Sequence, residues 1–219
     1  IEQKLEVRRR FLPYQGKRIL FLLPARTAGG GANIILLEAS RLIALGVDAQ
    51  IVNLRSNQDI FEENYPDNQV PIHYILSPEQ LPEIAQYYDA VVATLYLTVE
   101  WINSLVQSGC GAPKVAYYIQ DFEPDFFPPG STEYIRALQS YSLVSQMTLM
   151  TKTNWTRDVV KRVVGVECAV IGADYDDALF YPGVTCRLYG GVIAVTAMVR
   201  PETPRRAPGL TMKVLKRLK

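Results

Sequence analysis

The chain has 219 residues, 48% of them apolar and 21% charged, with a net charge of +1. This is the balance of a globular protein with a core of its own, so overall charge attracts neither nucleic acid nor an anionic membrane. One histidine, His73, and three scattered cysteines without a CxxC pair leave little room for a catalytic triad or a multi-histidine metal site. Free thiols at Cys110, Cys168 and Cys186 fit a reducing cytoplasm, with peripheral contact to a membrane left open.

Residues 1–16 read as an N-terminal extension whose Arg8, Arg9 and Arg10 form a solvated face. "KRILFLLP" (17–24) is a nearly continuous apolar run, the pattern of a strand buried on both sides of a parallel sheet. Past three glycines, Ile35, Leu36, Ala39, Leu42 and Ile43 recur at helical spacing, and Gly46 stands at the helix end. "VDAQIVNL" (47–54) is a second strand and closes a βαβ unit. "VPIHYIL" is a short strand-like run in which His73 reads as structural.

Helices are predicted at 81–88, 98–109 and 154–165, and one is predicted after Ser131, which suits an N-cap. Strands are predicted at 89–96, 113–121, 143–151 and 166–173. The alternation implies an open parallel α/β sheet, Rossmann-like, with helices on both faces over 17–180. After an acidic stretch around Asp174, an apolar strand over 190–199 and a helix from 209 begin a second α/β unit within 181–219. A lone strand and helix cannot bury a sheet, so either this piece docks on the first domain or more of a second domain is expected beyond Lys219, and the second reading is favoured. Alternatively the strand edge at 190–199 pairs two copies in a homo-oligomer. No apolar run reaches the ~18 residues of a membrane span.

Three stretches carry chemistry. Gly29, Gly30 and Gly31 lie between a strand and a helix, where amide groups and the helix dipole receive an anion. The spacing is neither GxGxxG nor a Walker loop, and the second strand ends in Asn53, Leu54 and Arg55 rather than an acid, which argues against a dinucleotide. A ligand at the backbone or a simple flexible turn both fit. In "YYIQDFEPDFFPPG" (117–130), Asp121, Glu123 and Asp125 alternate with Phe122, Phe126 and Phe127 at the end of a strand. Carboxylates for hydroxyl groups and rings for sugar faces suit a carbohydrate pocket; phenylalanines tucked into the core fit equally. Asp121, at the strand tip, is the strongest candidate. In "MVRPETPRRAPG" (198–209), Arg200, Arg205 and Arg206 suit a diphosphate, or face solvent. No spacing demands a metal.

"GGGANIILLEASRLIALG" resembles the first loop and helix of GT-B glycosyltransferases of family 4. "YYIQDFEPDFFPPGSTEYIRALQSYS", "TNWTRDVV" and "RPETPRRAPGLTMKVL" resemble the WsaF-type rhamnosyltransferases of surface polysaccharides, over about 17–219. The resemblance implies a retaining transferase with two facing Rossmann-like domains, moving a sugar such as rhamnose from a nucleotide-diphosphate donor to a saccharide acceptor. No further cofactor is implied. Residues 17–180 would form the acceptor side. Gly30 and Gly31 would lie near the donor phosphates with Arg200, Arg205 and Arg206, and Asp121, Phe122 and Glu123 would line the acceptor side, Asp121 in the catalytic role. The family's paired glutamates have no counterpart in these residues, so this stretch by itself is expected to be inactive. The alternative is a non-catalytic α/β module that binds a phosphate or a sugar.

Overall fold

The computed structural model describes residues 2–109, 113–172, 174–176, 179–181, 188–189, 192–193 and 195–218. Cys110 and Cys186 fall outside these residues, and Cys168 is a buried free thiol. The chain divides into two units, Ile1–Tyr175 and Asp176–Lys219; the sequence reading draws this boundary at 180.

The first unit alternates helices and strands: α1 (Glu2–Phe11), β1 (Arg18–Leu22), α2 (Gly30–Ala44), β2 (Asp48–Leu54), α3 (Gln58–Asn64), β3 (Ile72–Ile75) and α4 (Leu81–Ala85). It continues with β4 (Ala90–Ala93), α5 (Tyr96–Gln107), β5 (Lys114–Ile119), α6 (Thr132–Ser140), β6 (Thr148–Thr151), α7 (Asn154–Val164) and β7 (Ala169–Val170). The seven strands form one parallel sheet in the order β3-β2-β1-β4-β5-β6-β7. This is the α/β Rossmann-like fold expected from the sequence.

Alternate residues of β1 serve opposite faces. Leu20 and Leu22 join Val91, Ala93, Tyr117 and Ile119 beneath α4, α5 and α7. Phe21 and Leu23 join Ile51, Val92 and Tyr118 beneath α2 and α3, through Ala32, Ile35, Ala39 and Phe61. Burying each large apolar side chain contributes roughly 1.5–3 kcal/mol, which is why the central strands read as unbroken apolar runs.

Local chemistry sets the ends. Gly46 follows α2 with φ at +90°, a left-handed turn that favours glycine. Ser131 caps α6 by accepting the Tyr134 amide at 3.2 Å, as the sequence predicts, and Thr153 caps α7 by accepting the Thr156 amide at 3.1 Å. Three strands are markedly shorter than expected: the one predicted at 89–96 ends at Ala93, because Tyr96 already begins α5. The strand predicted at 143–151 starts only at Thr148, because Gln146 sits at φ +64° and cannot continue an extended chain. The strand predicted at 166–173 is reduced to Ala169–Val170, and Gly172, at φ +87°, turns the chain away.

In the second unit β8 (Leu188–Tyr189) and β9 (Val192–Ile193) pair antiparallel, and α8 covers Pro208–Arg217. The apolar strand expected over 190–199 is corrected in length: among the described residues only Val192–Ile193 is strand, in a two-residue ladder to Leu188–Tyr189, and 195–200 carries none. The backbone groups of 192–193 find partners in the chain just before them.

Candidate functional site

In an open α/β sheet the ligand crevice lies outside the carboxyl ends of the strands, where the strand order reverses. Here that point is between β1 and β4. Thr94 closes it from below: its hydroxyl donates to the Leu22 carbonyl at 2.6 Å, and its amide donates to Thr98 Oγ1 at 3.0 Å. The loops after β1, β4, β5 and β6 surround it, and they contain the first two of the three stretches singled out in the sequence.

The loop after β1 is tied down from the side. The wholly buried Asn53 donates from Nδ2 to the Ala25 carbonyl at 2.8 Å. From the end of α3, Asn64 Oδ1 accepts the Ala28 amide at 3.3 Å, and the Tyr65 hydroxyl accepts the Gly29 amide at 3.2 Å while donating to Asn33 at 2.6 Å. α2 then starts at Gly30 with no side chain capping it. Its first-turn amides have no partner within the helix, the arrangement in which a helix start can receive an anion. Gly29 sits at φ −170°, ordinary extended backbone, and a Cβ added at Gly29 or Gly30 would meet nothing within 4 Å. The fold itself does not call for glycine at these two positions. At Gly31 an added Cβ would lie 3.3 Å from Gln120 Nε2, which donates to the Gly31 carbonyl at 3.3 Å. Gln120 Oε1 is buried without a hydrogen-bond partner.

Beyond Gln120, the loop after β5 splits into an outer and an inner part. Asp121 is half-buried at the strand tip, and its Oδ1 accepts the Phe122 amide at 2.9 Å. Phe122 is 4% exposed and its ring lies parallel to that of Tyr141, 5.9 Å between centroids. Tyr141 in turn stacks on Tyr117 at 5.8 Å. Glu123 is 2% exposed. Its Oε1 accepts the Tyr117 hydroxyl at 2.7 Å, its Oε2 accepts the Tyr96 amide at 2.9 Å, and its own amide donates to the Tyr141 hydroxyl at 3.1 Å. Burial, helped by the charge of Asp121, raises this carboxyl to about 7 against the pull of the hydrogen bonds from Tyr117 and the Tyr96 amide. Phe122 and Glu123 thus face the interior. Phe126 is the exposed ring of the loop, and Phe127 packs edge-on against Tyr96 at 5.5 Å.

Two further residues border the crevice. On α2, Glu38 accepts the Tyr118 hydroxyl at 3.1 Å, and burial raises its carboxyl above the usual range. Lys152 follows β6 directly; burial lowers its ammonium while the nearby charges of Asp121 and Glu38 oppose that shift. Neither belongs to a motif. Glu38 is one polar position on an amphipathic helix, and Lys152 gains its meaning from standing at a strand tip beside Gln120, which only the sheet register reveals. Arg41, one turn beyond Glu38, reaches Asp174 and the Tyr175 carbonyl and so ties α2 to the segment after β7.

Gly30, Gly31, Asp121, Phe122 and Glu123 therefore come together at one edge of the first unit. Arg200, Arg205 and Arg206 belong to the second, where Arg205 and Arg206 form a 3-10 turn with Pro204 and Arg206 Nη1 lies 3.7 Å from the Met198 sulfur. A cavity of about 390 Å3 lies between α3 and the edge strand β3, lined by Phe61, Glu62, Tyr65 and Tyr74. It shares Tyr65 with the glycine loop but is two strands removed from β1. Among the described residues no group of three His, Cys, Asp or Glu side chains could hold a metal ion, and no helix is long and apolar enough to cross a membrane.

No protein-family model and no characterised protein sequence matches the chain. Among solved structures it is similar to Anabaena Alr3699/HepE in complex with UDP and glucose, at 15% identity and a TM-score of 0.59, over 76% of this chain and 47% of that one. HepE in complex with UDP-glucose gives the same TM-score of 0.59 at 16% identity, with 76% and 46% covered. The chain thus spans about half the length of HepE, and what the two share is the fold.

Proposed function

We propose that the chain is part of a glycosyltransferase that moves a sugar from a nucleotide-diphosphate donor to a saccharide acceptor, with the crevice of residues 1–175 serving as the acceptor side. One observation carries the reading: glycines at 29 and 30 that the fold does not require, at an uncapped helix start beside the β1/β4 switch. The likeness to a protein held with UDP and glucose supports it. Asp121 holds the acceptor hydroxyl, with Lys152 and Glu38 as neighbouring hydrogen-bonding groups. The amides of Gly30 and Gly31 and the α2 dipole meet the leaving diphosphate as the sugar becomes cationic; in the second unit, taken by itself, Arg200, Arg205 and Arg206 are cations suited to a diphosphate. With that charge supplied by arginine and amide groups, no metal is needed. Rhamnose as the sugar, retention of configuration, and a place in surface-polysaccharide assembly are the finer parts of the proposal and rest on the resemblance of the QDFEP and RPETPRR loops.

The test is release of nucleoside diphosphate from UDP-, dTDP- and GDP-sugars, each offered with a panel of saccharide acceptors, by the protein encoded by the whole reading frame. Acceptor-dependent release that falls at least about tenfold in Asp121→Asn and in Arg200→Ala is expected, the loss of one transition-state contact. Unchanged turnover in Arg200→Ala removes the arginine from the mechanism. Saturable binding of a nucleotide sugar with no turnover for any acceptor would establish the non-catalytic binding module instead.

A further inference from the structure

Glu123 occupies an unusual place. It makes no ion pair among the described residues, yet it is almost wholly enclosed and every polar atom of its end is used. Two donors converge on its carboxyl group: the hydroxyl of Tyr117 from β5, and the amide of Tyr96, the first residue of α5. Its own amide is bound by Tyr141 after α6. Three elements of the sheet and its cover therefore meet at one loop residue. Two positions upstream lies Asp121, which accepts from the amide of the intervening Phe122.

We propose that Glu123 is the positioning residue of the acceptor edge: its hold on Tyr117 and on the start of α5 fixes the backbone that presents Asp121 to the crevice, and the strength of that hold depends on whether Glu123 carries a proton. The inference rests on the function proposed above for Asp121, and it deepens that reading.

The chemistry follows from donor counting. A carboxylate accepts from both the Tyr117 hydroxyl and the Tyr96 amide. A neutral carboxyl group brings a proton of its own, which requires an acceptor. The amide cannot accept, so the proton goes to the Tyr117 oxygen: that bond reverses, the Tyr117 proton loses its acceptor, and both contacts lose the charge assistance of the anion. Burial and the charge of Asp121 favour the neutral form, the two donors favour the anion, and the balance falls at about 7. The other titratable groups facing this point are Tyr117 and Tyr141, both pushed upward by burial, and Tyr96. Arg136 lies 5.8 Å from the Tyr96 ring and is paired with Glu100 at 2.6 Å. Raising the pH through neutrality therefore tightens the loop while placing a charge in a dry site, so positioning improves as fold stability falls. A purely structural glutamate would move both in the same direction.

The experiment compares the whole chain with Glu123→Gln and Glu123→Asp. Amide shifts of Tyr96 and Phe122 are followed by NMR between pH 5 and 9; Phe122 reports the Asp121 carboxylate to which it donates. Both amides are expected to step together near pH 7 in the parent, to stay flat in Glu123→Gln, and to step again in Glu123→Asp, which restores the charge. With transfer activity in hand, the acceptor KM of the parent is expected to fall severalfold from pH 6 to 8, and that fall is absent in Glu123→Gln. A Tyr96 step without a Phe122 step overturns the positioning role, as does a step that persists in Glu123→Gln. Absence of turnover with every donor and acceptor would instead count against the proposed function, while the two amides still decide the role of Glu123.

Discussion

At Glu123 the folded and unfolded chains hold different numbers of protons. The carboxyl is raised from 4.5 to about 7 by burial, so between these values the folded state binds the extra proton and stability declines as pH rises. The full shift corresponds to about 3 kcal/mol. Urea unfolding at pH 5 and pH 8 is expected to show the parent losing on the order of 2–3 kcal/mol relative to Glu123→Gln, whose amide does not titrate. Equal pH dependence of the two proteins would contradict this. Gly30 offers a second residue-scale prediction. An added methyl group meets nothing, and alanine is favoured over glycine in a helix by up to about 1 kcal/mol. Gly30→Ala is therefore expected to keep or raise the melting temperature while weakening nucleotide-sugar binding measured by calorimetry. A variant that is destabilised instead would assign the glycine to the turn.

Helices and strands were legible in the sequence wherever their ends carried chemistry of their own. Ser131 announces α6, Gly46 closes α2, and the apolar run 17–24 holds β1. α7 is framed on both sides, by Thr153 at its start and by Gly165 at φ +80° at its end. Thr153→Ala is expected to cost about 1 kcal/mol in chemical denaturation, the usual value of a lost N-cap. What could not be read has physical causes. α3, "QDIFEEN", buries a single side chain, Phe61, and offers no periodicity to follow. β6 and β7 are truncated by left-handed residues at Gln146 and Gly172, and for glutamine that conformation has no sequence signal. In the site, the position of Asp121 followed from the rule that ligands meet strand ends. The inward turn of Phe122 and Glu123 did not, because alternation in a loop has no fixed period. Lys152 became visible only when β5 and β6 were in register, and Glu38 only through the Tyr118 hydroxyl it accepts from β5.

The first unit contains a complete sheet, with both faces of its central strands covered by helices from within residues 1–175. A chain ending at Tyr175 is therefore expected to unfold in one cooperative transition, with coincident fluorescence and circular-dichroism curves. Two separate transitions would mean that the sheet depends on residues beyond Tyr175.

The strand order has a further consequence, for the way the molecule is made. β1 leaves the ribosome before both of its neighbours, yet it lies inside the sheet, and its second neighbour, β4, begins 72 residues later: Ile19 pairs with Ala49 on one side but with Ala90 on the other. Until Ala90–Ala93 has been synthesised, one edge of β1 is open and Leu20 and Leu22 lack the cover that α5 supplies. At ~5–20 residues per second that interval lasts several seconds, the time in which a nascent chain is most exposed to wrong pairing and to chaperones. The arrangement that places the crevice between β1 and β4 is the same one that makes β1 wait longest for a partner.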